Sequence, residues 1–166
     1  MSAKSIYNYI KGQFNECSVN TITKYLSYLK EAYVISSIKQ YSAKAKRELN
    51  FFEKIYDEDV AFNSIRVADG IFDLTHNLEN VVYNELLYRG YSLSVYSGKQ
   101  EIDFCAQKEN KKYFIQVAYS VAERSTYDRE MGAFADIDNT HAKILISNDD
   151  IDYSTSTVRH IKLKDF

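Results

Sequence analysis

The apolar positions divide the chain into short helices and strands. From Ser18 they run Val19, Ile22, Leu26, Leu29 and Tyr33, spaced alternately by three and four, which predicts a helix over 18–31. Ser18 or Asn20 can cap its start, since a side-chain oxygen there satisfies a backbone N–H that the helix leaves unpaired. A shorter helix is predicted over 5–11. Residues 33–41 are rich in β-branched and aromatic side chains and read as a strand, and residues 51–56 return as a second one after the basic turn SAKAKREL. Residues 57–76 show no clear period and read as a helical linker. Beyond them Leu78, Val81, Val82 and Leu86 form an apolar helical face that stops at Arg89-Gly90. Alternating patterns over 91–96, 101–106 and 113–118 predict a three-stranded meander. A helix over 123–136, a buried strand over 142–147 and a last strand over 158–163 follow. Such an order implies an α/β (α+β) fold, a mixed sheet flanked by helices on both faces.

Composition adds limits. Apolar residues make up 45% of the 166 and charged ones 27%, a globular balance. No apolar run is long enough to span a membrane, and the N-terminus lacks the apolar stretch of a signal peptide. Cys17 and Cys105 lie far apart and read as reduced thiols, so the expected location is the cytoplasm. Charge is divided unevenly. Residues 1–56 carry nine Lys/Arg against four Asp/Glu, a balance of +5, and the remainder carries twelve against nineteen, −7. This split predicts two units with different partners: 1–60, a linker 61–76, and 77–166. Two helices followed by a hairpin with a basic tip is the order of a small winged helix-turn-helix unit. Lys39, Lys44, Lys46 and Arg47 are its candidate DNA contacts, beside the plainer reading of a solvated basic loop.

In the second unit the order of helix, meander, helix and strand resembles the PD-(D/E)XK, or restriction-endonuclease-like, nuclease fold. In that family an acid on the first helix, an Asp on the second strand and an acid-x-Lys on the third converge on Mg²⁺, for which hard oxygen ligands are needed. The lysine supplies a cation beside the attacking water. On this chain the resemblance places Glu79 (in LENVVYNELLYRGY) at the helix position, Asp103 (in QEIDFCA) on the second strand, and Gln116 and Ala118 (in YFIQVAYS) where the third-strand pair belongs. Glu79, Asp103 and Gln116 are therefore the candidate site, with Asp103 and Glu79 its metal ligands. Gln116 brings no charge and Ala118 brings nothing to the water. Lys99 is the lysine nearest in sequence before Asp103.

A further resemblance covers nearly the whole chain. The blocks from TITKYLSYLKEAY and from LENVVYNELLYRGY to YFIQVAYS are similar to the C-terminal region of a prokaryotic family of AAA-superfamily P-loop ATPases, which ends in a winged helix and a nuclease-like domain. The implied partner is an upstream ATPase unit of the same parent protein. This chain itself has no G-x-x-x-x-G-K-[ST] and no ATP site is expected in it. His76, His141 and His160 show no ligand spacing, and no G-x-S-x-G elbow is present. Three readings follow. The favoured one is a non-catalytic regulatory module, binding DNA or a protein partner. The alternatives are a Mg²⁺-dependent DNA endonuclease using Glu79, Asp103 and Gln116, and a protein-interaction or oligomerisation domain.

Overall fold

The computed structural model describes residues 3–11, 17–42, 47–62 and 74–166. Among these, four α-helices and seven strands follow in the order α1 (Ala3–Lys11), α2 (Val19–Glu31), β1 (Ile35–Ser42), β2 (Arg47–Asp57), α3 (Leu74–Tyr88), β3 (Ser92–Ser97), β4 (Glu101–Lys108), β5 (Lys111–Val117), α4 (Arg124–Gly132), β6 (Ala142–Ser147) and β7 (Val158–Lys162). The strands make one mixed sheet in the order β2-β1-β3-β4-β5-β6-β7. The pairs β1–β2, β3–β4 and β4–β5 are antiparallel hairpins. The pairs β1–β3, β5–β6 and β6–β7 are parallel. The α/β reading thus holds, and no helix among the described residues is long and apolar enough to cross a membrane.

Predicted and observed elements differ mainly at their ends. Ser18 caps α2 by accepting from the Thr21 N–H at 3.1 Å. The helix read over 123–136 is α-helical only to Gly132 and then tightens into a 3-10 turn, Ala133–Asp136. Gly90 ends α3 in the left-handed region at φ 78°, with the Tyr91 N–H returning to the Leu86 carbonyl. Tyr33 does the same for α2 at φ 54° with the Val34 N–H on Leu29, a conformation that costs a side-chain-bearing residue about 1–2 kcal/mol. One helical face is rotated from its predicted position. Val81 is exposed, and Leu78, Val82, Tyr83 and Leu86 are buried together with the polar Glu79 and Asn80. Those two polar side chains turn inward because α3 docks against hydrogen-bonding partners as well as against apolar ones.

The sheet separates two apolar layers. Below α3 lie Ile38, Tyr56, Val95, Phe104, Ala106, Ile115, Val117 and Ile146 with the helix's own apolar residues. Tyr56 stacks on Tyr83 with ring centroids 4.0 Å apart. On the other face Ile102, Phe114, Ala118, Val121 and Leu145 pack beneath the α4 and 3-10 segment through Ala133, Phe134 and Ile137. Strict alternation would put Ile102 and Phe104 on one face. They lie in different layers because β4 is bulged: Ser94 pairs with Cys105 and Tyr96 with Ile102, so Val95 faces both Asp103 and Phe104. The bulge falls at the residue that carries the predicted site.

Candidate functional site

The geometry around Asp103 follows from that bulge. Regular pairing between β4 and β5 begins at Phe104 and Ile115, so beyond it the two strands need other partners. Side chains supply them. The Asp103 N–H donates to the Gln116 amide oxygen at 3.1 Å, and the Val117 N–H donates to the Asp103 carboxylate at 3.0 Å. The Gln116 amide nitrogen in turn donates to the buried Glu130 carboxylate of α4 at 2.7 Å, and Arg129 pairs with the other oxygen of Glu130 at 2.6 Å.

The cation of this site comes from β2. Lys54 Nζ lies 2.7 Å from Glu79, 2.9 Å from Asp103 and 3.7 Å from Glu101. The same Glu79 oxygen accepts from the Tyr56 hydroxyl at 2.5 Å. Lys54 and Tyr56 are two apart on β2, so one face of the strand carries both the ammonium and a core ring. Burial works against the Lys54 charge, but the Asp103 and Glu79 carboxylates outweigh it and hold the ammonium pKa above its ordinary value. Burial pushes the Glu79 carboxyl up, and the Asp103 charge adds to this. Lys54 and Tyr56 only partly offset both. Burial, reinforced by Glu79, also keeps the Tyr56 hydroxyl protonated as a donor.

The residues predicted for the metal site each have a definite place. Glu79 and Asp103 meet on one ammonium. Gln116 is joined to Asp103 through its backbone, with its amide oxygen already accepting a hydrogen bond. Ala118 is buried in the layer under α4. Lys99 is directed elsewhere, forming an exposed pair with Asp136 at 3.0 Å. Of the candidate nucleic-acid contacts, Lys39 is exposed on β1. Lys44 and Lys46 lie outside the described residues, and Arg47 begins β2. An ammonium stands where the two carboxylates converge, and the amide oxygen of the third candidate ligand already accepts a hydrogen bond, so an ion entering here would meet both. Among the described residues no group of three or more His, Cys, Asp or Glu is arranged to hold a metal.

The residues missed in the sequence are Lys54, Tyr56, Glu130 and Asn80. Lys54 and Tyr56 carried a readable signal, since a lysine alternating with a core tyrosine on a strand must point toward the same interior. Asn80 pairs with the end of β2. Its amide oxygen accepts from the Asp57 N–H and its amide nitrogen donates to the Asp57 carbonyl, both at 2.8 Å.

A second polar cluster joins β6 to β7. Ser147 lies 2.9 Å from His160 Nε2, which by distance resembles a nucleophile and its base. The hydroxyl proton is directed elsewhere. Ser147 is also 2.8 Å from the Asp149 carboxylate, which cannot donate, so the hydroxyl donates to Asp149 and accepts from His160. Tyr153 N–H donates to the other ring nitrogen at 3.3 Å, which makes this a neutral, structural histidine. Asp149 completes the joint by accepting from Ser120 at 2.6 Å and the Val121 N–H at 2.8 Å. Burial depresses the His160 pKa below its ordinary 6.5, against the pull of Asp152 and Asp149. Its stabilising contribution is therefore present above pH 6.5 and lost as pH falls through the folded value. Denaturant unfolding of His160→Gln should accordingly decline less on acidification than that of the parent chain. Parallel declines would assign the acid sensitivity to other groups.

The model of a domain of unknown function, DUF4143, matches residues 75–166. The chain belongs to the DUF4143 family. The match begins at α3 and takes in Glu79, Asp103, Gln116 and Glu130, and Lys54 lies before it. An uncharacterized protein of Haemophilus influenzae is 31% identical over 150 residues, which cover 89% of this chain and 36% of that protein. The uncharacterized protein MJ1544 of Methanocaldococcus jannaschii is 28% identical over 169 residues, covering 90% of this chain and 35% of its own length. The DUF4143 chain thus spans about a third of each of these curated relatives. No solved structure matches it.

Proposed function

We propose that this DUF4143 chain is a non-catalytic binding and regulatory module, in which a nuclease-like scaffold is kept for its shape and its metal site is filled by an internal cation. One observation carries the reading: Lys54 Nζ lies within 2.9 Å of both carboxylates that the resemblance assigns to a metal. An ammonium with a raised pKa keeps its charge at neutral pH, so a divalent ion would have to displace a buried ion pair to enter. In the larger protein the module works beside an AAA-superfamily ATPase unit, as the resemblance of the two sequence blocks implies. DNA, where it is bound, meets the basic hairpin at Lys39, Lys44, Lys46 and Arg47. The surplus of acid in the second half of the chain repels phosphates.

Two measurements test this. Incubation with linear and branched DNA in Mg²⁺ or Mn²⁺ should leave the substrate intact, and cleavage that disappears in Asp103→Ala would overturn the reading. Retention on DNA at low salt should weaken in the triple variant Lys44→Ala, Lys46→Ala, Arg47→Ala, with a shallower dependence on salt. Undiminished retention would remove the hairpin from the interface. One alternative has a specific observation in its favour. Lys54 brings an ammonium to 2.9 Å from Asp103, which is the service that the missing lysine at Ala118 would perform for a Mg²⁺-dependent endonuclease. The cleavage assay separates the two readings.

A further inference from the structure

A groove of about 510 Å³ opens between the 3-10 turn after α4 and the start of β7. It shares no lining residue with the Lys54 site. Met131, Phe134, Ile137 and Val158 give it apolar walls, and Thr157 stands among its polar groups. Lys143 of β6 also lines it, although that residue is only 6% exposed. A lysine buried so far is ordinarily paired with a carboxylate, because an uncompensated charge is costly away from water. Among the described residues Lys143 makes no direct ion pair, and the exposed Asp138 carboxylate acts on its charge only from a distance. Its ammonium donates to the neutral Asn139 amide oxygen at 2.7 Å, one partner for a group with three N–H donors.

We propose that this groove binds an organic monocarboxylate with a short apolar body, the carboxylate on Lys143 and the body against Phe134, Ile137 and Val158. Size and lining suit a small ligand held by few polar groups on an apolar surface. The charge count selects a monoanion. One ammonium faces the groove, and the exposed Asp138 on its rim, fixed by the Thr140 N–H at 2.8 Å and already offsetting part of that charge, disfavours a second negative charge on the ligand. A phosphate dianion is therefore a poor fit. A free acid and the C-terminal carboxylate of a peptide share the required chemistry.

Amide chemical shifts of the full chain, followed during titration with hexanoate, provide the test. Saturable shifts are expected at Lys143, Thr157 and Val158. The uncharged analogue hexanol should bind at least about tenfold more weakly, equivalent to roughly 1.4 kcal/mol. Lys143→Met, which keeps the stem and removes the charge, should weaken hexanoate by a similar factor. Inorganic phosphate should not saturate. An N-acetylated apolar tripeptide binding more tightly than hexanoate would assign the carboxylate to a peptide end, and weaker binding would assign it to a free acid. Equal binding of hexanoate and hexanol, or the absence of saturation with hexanoate, would overturn the proposal. The comparison of these two probes uses the unaltered chain and so stands even where Lys143→Met fails to fold.

Discussion

Replacing Lys54 by Met is expected to destabilise the chain by about 3 kcal/mol at neutral pH, near the lower end for removing one partner of a buried ion pair. The lower end applies because 21% of the lysine side chain meets water. What remains is the liability. Glu79 and Asp103 have side chains only 9% and 13% exposed, and without the ammonium they face each other uncompensated. The loss should depend on pH with a definite sign. The Glu79 pKa is already raised above its ordinary 4.5, so the stabilising contribution of this carboxyl is full below that value and fades as pH rises through the folded one. Removing Lys54 raises it further. The gap between variant and parent in denaturant unfolding should therefore widen as pH rises above 4.5. A gap of constant size would mean that packing of the lysine stem, and not its charge, holds the two segments together.

The second large effect is expected at Asn80. Its side chain is fully buried and performs the work of a neighbouring strand, offering an acceptor and a donor to the two backbone groups of Asp57. Asn80→Ala leaves the Asp57 N–H without that acceptor and opens a small void, for an expected loss of about 2–4 kcal/mol. The Asp57 carbonyl retains a long contact from Asn84 at 3.4 Å, so the N–H carries most of the loss. Asn80→Asp is the informative comparison. It keeps the acceptor for the N–H but sets a carboxylate against the Asp57 carbonyl, so it should be tolerated at acid pH, where the group is protonated, and fail at neutral pH. Equal melting temperatures for the two variants at both pH values would contradict this account.

Local pattern carried the second half of the chain well. Periods of three to four and of two marked α3 and the five strands after it, and Gly90 marked a stop because few other residues enter the left-handed region without cost. Glu79 and Asp103 could be singled out because their motif follows the order of those elements. What could not be read was long-range. Lys54 lies 49 residues before Asp103, and nothing local to β2 states that β1 runs parallel to β3 or that the hairpin returns toward α3. Parallel pairing leaves no turn signature, so it is invisible to a reading that proceeds by neighbours. The rotated face of α3 was missed for a related reason. Val81 reads as apolar, but the helix is oriented by the two polar contacts of Asn80 and Glu79, whose partners lie on β2. Lys99 was the lysine suggested by proximity in sequence; an adjacent acid at Asp136 claims it instead.

The position of Lys54 bears on how the family segment can be handled. A protein cut to residues 75–166 would retain α3 and the strands from β3 to β7 but lose the whole first hairpin. Severing it would strip the ammonium from Glu79 and Asp103, take the Asp57 backbone from Asn80, and uncover the flank of β3 that β1 occupies through Gln40, Tyr41 and Ser42. An uncovered flank of this kind invites a strand from another molecule. The recurring unit of sequence and the smallest unit able to fold alone are then different lengths of chain. Excision at the family boundary would yield an aggregating fragment, whose behaviour would say little about the intact molecule.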